Sequence, residues 1–276
     1  MTFKLRSFFP SASSRGGPPR VPPGYRVYAI GDIHGRLDLL DRLLEQIAAD
    51  EAGRPGAETV LLFLGDLIDR GPSSAEVVER VRTLDRRGRR VVHLSGNHEE
   101  VLLRLLRGEG ELIHDWLRFG GAECAKSYGI DVAALRSRGP DEAVRLLREG
   151  IPSEHQAFLL DFVDTMRIGD YLFVHAGIRP GVDLADQTQA DLRWIREPFL
   201  DHDRDHGFVV VHGHTIVDEV DVRANRIGID TGAYRSGVLT AIALEDTDCR
   251  FLQTGAAAGT NAVRPVTARV APARVV

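Results

Sequence analysis

Hydrophobic positions along the 276-residue chain follow two alternating patterns. Five short runs, YRVYAI, TVLLFL, RVVHLS, YLFVHA and FVVVHG, are rich in Val, Leu and aromatic residues and end at or just before Gly, Ser or Ala. Apolar stretches of about six residues bounded in this way suit strands covered by other layers of an α/β sheet. Between them, Leu37 to Asp50 repeats Leu and Ile at helical spacing, and Ser73 to Arg87 opens with Ser73 and Glu76 spaced as a capping box. More helix is expected from His98 to about Asp164, interrupted at Gly120, Gly121, Pro140 and Pro152. After about Val220, VRANRIGIDTGAY, GVLTAIALE and CRFLQ alternate apolar and polar residues like an antiparallel end to the sheet. The fold class is therefore layered α/β, with no internal repeat. One domain over 24–254 is expected, with 107–152 as a helical cap insertion, between flexible tails at 1–23 and 255–276 that lack large apolar groups and periodicity.

Composition narrows the function. At 43% hydrophobic residues the chain can bury one sizeable core. A net charge of -5 argues against nucleic acid as a partner, since binding its phosphates needs a basic surface. The basic run RTLDRRGRR (82–90) falls at a helix end, where cations favour the helix dipole, and reads as solvated. Cys124 and Cys249 lie far apart, so neither a disulfide scaffold nor a thiolate metal site is indicated and a cytoplasmic location is expected. No apolar run approaches the ~20 residues of a membrane helix, so no membrane contact is expected. The first twenty residues have basic and serine residues and no acid, as in a transit peptide, but a flexible tail is the simpler reading.

The polar residues at the strand ends carry the chemistry. There the chain reads GDIHG (31–35), GDLIDRG (65–71), GNHE (96–99), HAG (175–177) and HGH (212–214). In open α/β sheets the ligand crevice lies beyond the carboxyl ends of the strands, where residues remote in sequence can meet. Carboxylate, imidazole and amide ligands without thiolate suit Mn²⁺, Fe²⁺ or Zn²⁺, and six such side chains suit two ions better than one. Taken singly, each has an ordinary alternative: a turn for Asp32 and His34, a helix cap for Asp66 or Asn97, a backbone-bonded strand end for His175 or His214.

Together the five motifs resemble the signature of the phosphoprotein phosphatase family of dinuclear metallophosphoesterases, over roughly Tyr25 to Leu252. FGGAECAKSYG, FVHAGIRPG, DLRWIREPFL, VVHGHT and GIDTGAY are similar to its bacterial and phage branch, which includes lambda phosphatase-like serine/threonine protein phosphatases and symmetrical diadenosine tetraphosphatases. The resemblance implies a calcineurin-like metallophosphoesterase fold, a layered β-sandwich flanked by helices. It implies two divalent ions, Mn²⁺ first and Fe or Zn as alternatives. Asp32 and His34 would hold the first ion, Asp66 would bridge, and Asn97, His175 and His214 would complete the second. Hydrolysis by a metal-bridging hydroxide is implied, with His98 as general acid oriented by Asp69, and with Arg70 and Arg196 clamping phosphate. His212 is expected to support the ligands or to be a strand residue, and Tyr234 to border the pocket or pack in the core. His93, His114, His155, His202 and His206 match no ligand position.

The function expected from this resemblance is that of a serine/threonine protein phosphatase or broad phosphomonoesterase acting on a phosphoprotein or small phosphoester, with no obligate partner. A symmetrical diadenosine tetraphosphate hydrolase is the alternative. An inactive phosphoprotein-binding module is less favoured, because every expected ligand and His98 are present.

Overall fold

The computed structural model describes residues 5–7, 17–86 and 88–255. Its strands are Leu5–Ser7 (β1), Tyr25–Ile30 (β2), Glu58–Phe63 (β3), Arg90–His93 (β4), Thr165–Ile168 (β5), Tyr171–Val174 (β6), Val209–His212 (β7), Asp221–Val222 (β8), Arg226–Gly228 (β9), Thr240–Glu245 (β10) and Asp248–Gln253 (β11). They form two sheets, one in the order β11-β10-β2-β3-β4 and the other β1-β5-β6-β7-β9-β8. The strands that lead into the motifs run parallel within each sheet: β2, β3 and β4 in the first, β6, β7 and β9 in the second.

The burial pattern explains the layering. Val27, Ala29, Val60 and Leu62 on one face of β2 and β3 pack with Phe173, Val211, Ile227, Ile242 and Phe251 in a core between the sheets. The alternate residues Tyr28, Ile30, Leu61 and Phe63 face the helices Leu37–Ala52 (α1), Ser74–Arg82 (α2) and Asn97–Arg107 (α3), where Leu40, Leu43, Val77, Val78 and Leu102 are buried. Leu172, Val174 and Val210 cover the outer side of the second sheet together with Leu192, Ile195 and Phe199. Strands with apolar residues on both faces are thus read correctly from their unbroken hydrophobic runs.

Several expectations are corrected in detail. Helix α2 stops at Arg82 rather than Arg87, where Thr83 turns its hydroxyl onto the Glu79 carbonyl at 2.7 Å, and Ser73 makes no side-chain cap. The helical stretch after His98 is a series of short helices, broken at Gly120 with φ of 116°. A side chain there would meet Arg70, whose Cγ and backbone N lie 2.6 Å from an added Cβ. The C-terminal strands are only partly antiparallel: β10 pairs antiparallel with β11 and β2, but β9 runs parallel to β7.

Some of the described residues before 24 are packed against the rest of the chain. Val21 is fully buried and its N–H donates to the Asp246 carbonyl, Arg20 N donates to Asp170 at 3.0 Å, and β1 pairs with β5. Residues 1–4, 8–16 and 256–276 of the expected tails, and Arg87 of the basic run, lie outside the described residues. In that run Arg82 pairs with Glu79, Arg89 with Glu51 and Arg90 with Glu58, so acidic side chains answer its charge. No helix among the described residues is long and apolar enough to cross a membrane.

Candidate metal centre

The five motif loops, one after each of β2, β3, β4, β6 and β7, bring their side chains to one buried site with Asp66 at its middle. Asp66 Oδ2 lies 3.5 Å from His34 Nε2 and 3.9 Å from His98 Nε2, while Oδ1 lies 3.5 Å from His175 Nε2. Asn97 Oδ1 is 3.0 Å from His175 Nε2 and 2.9 Å from His214 Nδ1. Two close groups result, His34–Asp66–His98 and Asp66–His175–His214, each with ligand atoms within 4.8 Å of one another, and Asp66 belongs to both. Asp32 shares the pocket, but its carboxylate accepts the His214 N–H at 3.1 and 3.3 Å and falls in neither close group. His98, expected as the acid, stands in the first group beside His34.

The backbone is held in uncommon conformations to achieve this. His34, Asp66, Asp69, Arg70 and His214 all have φ between 47° and 72°, the left-handed region that L-residues seldom occupy and that concentrates at functional sites. Glu99 stabilises the turn at Asp66. Fully buried, it accepts N–H bonds from Asp66 and Leu67 at 2.8 Å and from Gly96 at 2.9 Å. Gly96 permits the approach, since a Cβ there would fall 2.1 Å from Asp66 Oδ1. Gly213 does the same for Asp32, whose Oδ1 would be 2.0 Å from an added Cβ.

Protonation follows from the partners. A carbonyl oxygen only accepts, so Nδ1–H of His34 donates to Ile68 O at 2.8 Å and Nδ1–H of His175 to Leu64 O at 2.9 Å. Burial holds both imidazoles below their usual pKa, and it pushes His214 down to about 3. The Nε2 atoms of His34 and His175 therefore present lone pairs, and these face Asp66 oxygens and Asn97 Oδ1. Burial would raise the Asp66 pKa, but the surrounding histidines outweigh it and keep the carboxylate ionised. His214 Nε2 is buried without a hydrogen-bond partner. Electron pairs of His175, Asn97 and Asp66 converge with no proton between them, and that of His34 Nε2 faces both Asp66 and the Arg70 Nη1–H. N and O donors without sulfur fit a divalent cation, and the backbone-anchored Nδ1 atoms orient the two rings.

His98 differs. Burial opposes its charge, yet Asp66 and the hydrogen bond to Asp69 prevail and its pKa is raised. Its Nδ1 donates to Asp69 Oδ2 at 2.7 Å, and Trp116 Nε1 donates to the same oxygen at 3.2 Å. Arg70 Nη1 lies 2.9 Å from His34 Nε2, with its guanidinium 4.9 Å from the centre of the Tyr234 ring, which itself stands 5.5 Å from the His34 ring. Tyr234 thus borders the pocket. Arg196 is exposed at the opposite end, close enough for its charge to depress His214 further. His212 is buried at the end of β7 against Phe199, as a strand residue.

Three participants escape sequence reading. Glu99 sits in the GNHE motif, but nothing local shows that it holds a loop over thirty residues away. Trp116, which lies within 107–152, reaches Asp69 from the helical segment. Asp230 of GIDTGAY is buried beside Asp32, and burial lifts its pKa to about 6. Its only local sign is an acid two residues past the end of β9, after Ile227 and Ile229.

Residues 25–236 match the model of the calcineurin-like phosphoesterases. The chain belongs to that family. Among calcineurin-like phosphoesterases it is 29% identical over 229 residues to an asymmetrical bis(5'-nucleosyl)-tetraphosphatase PrpE of Bacillus subtilis, covering 76% of this chain and 87% of that one. A Bacillus velezensis relative of the same name is 28% identical over 229 residues, covering 76% and 86%. Both names specify asymmetrical cleavage, whereas the sequence reading named the symmetrical enzymes as its alternative. In structure, a candidate diadenosine tetraphosphatase superposes with a TM-score of 0.60 at 21% identity, over 87% of this chain and 100% of that one. A cold-active protein tyrosine phosphatase does so with a TM-score of 0.52 at 20% identity, over 84% and 79%. These likenesses carry the calcineurin-like fold, which was the fold expected.

Proposed function

We propose that this chain is a metal-dependent phosphohydrolase whose substrate is a dinucleoside polyphosphate, cleaved asymmetrically at a phosphoanhydride. The hydrolase reading rests on one observation: buried Asp66 is shared by two groups of nitrogen and oxygen ligand atoms. The substrate class is supported by the name of the relatives and extended to this chain as a proposal.

Asp32, His34 and Asp66 would hold one divalent ion, and Asp66, Asn97, His175 and His214 the other. Bound there, the two ions would supply Lewis acidity towards water and phosphoryl oxygens, with about +2 of net charge left after Asp32 and Asp66. Asn97 is neutral and does not reduce that charge. Arg70 and Arg196 stand at the two ends of the ligand cluster, where guanidinium groups can grip phosphate oxygens and stabilise charge spreading in the transition state. His98, charged and hydrogen-bonded to Asp69, donates a proton from Nε2 to the departing oxygen.

That dyad favours a second reading. A proton donor matters most for an alkoxide leaving group and much less for a nucleotide phosphate, so the His98–Asp69 pair also suits a phosphomonoesterase or serine/threonine protein phosphatase. Chromatography of products from the Mn²⁺-loaded protein, with a chelator control, separates the readings. ATP plus AMP from diadenosine tetraphosphate is the expected result. Two ADP would mean symmetrical cleavage, and phosphate released only from phosphoserine or phosphothreonine peptides would replace the proposal by the second reading.

A further inference from the structure

Two tryptophans occur in the chain, and they are placed very differently. Trp116 is 2% exposed, whereas Trp194 is 41% exposed. A single exposed aromatic needs no explanation of its own, but an indole fixed beside a polar site presents a ready stacking face. Trp194 is also tethered. It ends the short helix Gln189–Trp194, its Nε1 donates to Glu100 Oε2 at 3.2 Å, and Arg193 Nη1 binds the same oxygen at 3.2 Å while its Nε reaches Asp164 at 2.9 Å. Its ring centroid lies 6.5 Å from that of His214, at the Asp66–His175–His214 end of the site. A groove of about 270 Å³ is lined by Glu100, which accepts the Trp194 N–H, and by Arg193, Leu103 and Phe162. Among the described residues the other exposed aromatic is Phe119, which has the Arg118 guanidinium 5.5 Å over its ring.

We propose that Trp194 is the platform on which one purine base of the substrate stacks when the adjoining phosphates lie at the His214 end of the site. The inference rests on the dinucleotide reading given above and adds a specificity-determining residue to it. An indole held by its N–H needs little ordering when a base settles on it, and stacking on an aromatic side chain accepts either purine or pyrimidine faces without hydrogen-bond readout. The enzyme should therefore discriminate nucleotides from simple phosphoesters more strongly than it discriminates one base from another.

The test compares Trp194→Ala and Trp194→Phe with the wild-type full-length protein, all Mn²⁺-loaded, on diadenosine tetraphosphate and on p-nitrophenyl phosphate, which has no base. For Trp194→Ala the loss of kcat/KM on the dinucleotide should exceed the loss on the nitrophenyl ester by roughly ten- to a hundredfold, mainly through KM. Trp194→Phe should recover most of it. Equal losses on the two substrates, or an unchanged dinucleotide KM, overturn the proposal. A second readout does not depend on turnover: AMP should quench the exposed tryptophan emission of the wild type and leave that of Trp194→Phe unaltered. If the wild type fails to cleave the dinucleotide, the functional reading falls. The quenching experiment then decides the platform alone, and its absence overturns it.

Discussion

Replacing Asp69 by Asn tests whether the buried carboxylate beside His98 serves catalysis or only packing. In the structure Asp69 Oδ2 accepts His98 Nδ1–H at 2.7 Å and Trp116 Nε1–H at 3.2 Å, and its own N–H donates to Ser74 Oγ at 2.9 Å. An amide oxygen can accept the same two side-chain donors, but its NH₂ replaces the buried Oδ1, which has no hydrogen-bond partner, so the architecture should survive with Tm lowered by roughly 2–10 °C. What disappears is charge. A hydrogen bond to an ionised partner contributes about 1.5–3 kcal/mol against about 0.5–1.5 for a neutral one, so the imidazolium loses roughly 1–2 kcal/mol of support. That difference corresponds to about a 5- to 30-fold lower kcat wherever His98 must give up a proton to a poor leaving group. Phenyl phosphate should show the full loss, and p-nitrophenyl phosphate, whose phenolate barely needs protonation, much less. Steady-state kinetics on the two esters, with Tm recorded for each protein, is the assay. Equal losses on both, or a loss of Tm beyond that range accompanying them, would falsify the acid-dyad assignment.

Other consequences follow from neighbouring contacts. Replacing His98 by Asn should remove the donor altogether and cost about 10² to 10⁴ in kcat on phenyl phosphate, read from the same pair of esters. Glu99→Gln leaves at least one of the N–H groups of Asp66, Leu67 and Gly96 facing an amide NH₂; a buried unpaired donor costs about 1–3 kcal/mol, so Tm should fall by roughly 3–10 °C and metal should bind more weakly, and an unchanged melt with full metal occupancy would count against the clamp. Asp66→Asn should bind fewer than two Mn²⁺ per chain in equilibrium dialysis, and two tightly held ions would end the bridging role. His93, stacked on Phe63 and Phe162, is pushed down to about 4 by burial and by Arg86. Below about pH 6.5 the unfolded chain binds a proton there that the folded chain refuses until about pH 4, so stability present above 6.5 is lost as pH falls, by on the order of 2–3 kcal/mol at pH 4.5. Urea titrations at pH 7 and 4.5 should show a smaller drop for His93→Phe than for the wild type.

The sequence by itself determined the strands that lead into the five motifs, because a strand covered on both faces must be apolar at successive positions, as YRVYAI, matching Tyr25–Ile30, is. It also pointed to the ligand types, since acids, histidines and an asparagine stand between glycines at strand ends, where only tight turns can place them. Local pattern could not show distance. That Asp66 stands between two sets of histidines, that Glu99 fixes its strained turn, and that Trp116 and Asp69 complete His98 all depend on contacts between segments tens of residues apart. Such contacts arise only when two sheets close over one core and bring their loops to the same edge. Nor could the pattern say that Asp32 would turn to the His214 amide, because a carboxylate chooses among partners only once tertiary packing has brought them within reach. The helix ends slipped for the same reason: where α2 stops and where Gly120 breaks the cap is decided by Thr83 and by the approach of Arg70, not by periodicity.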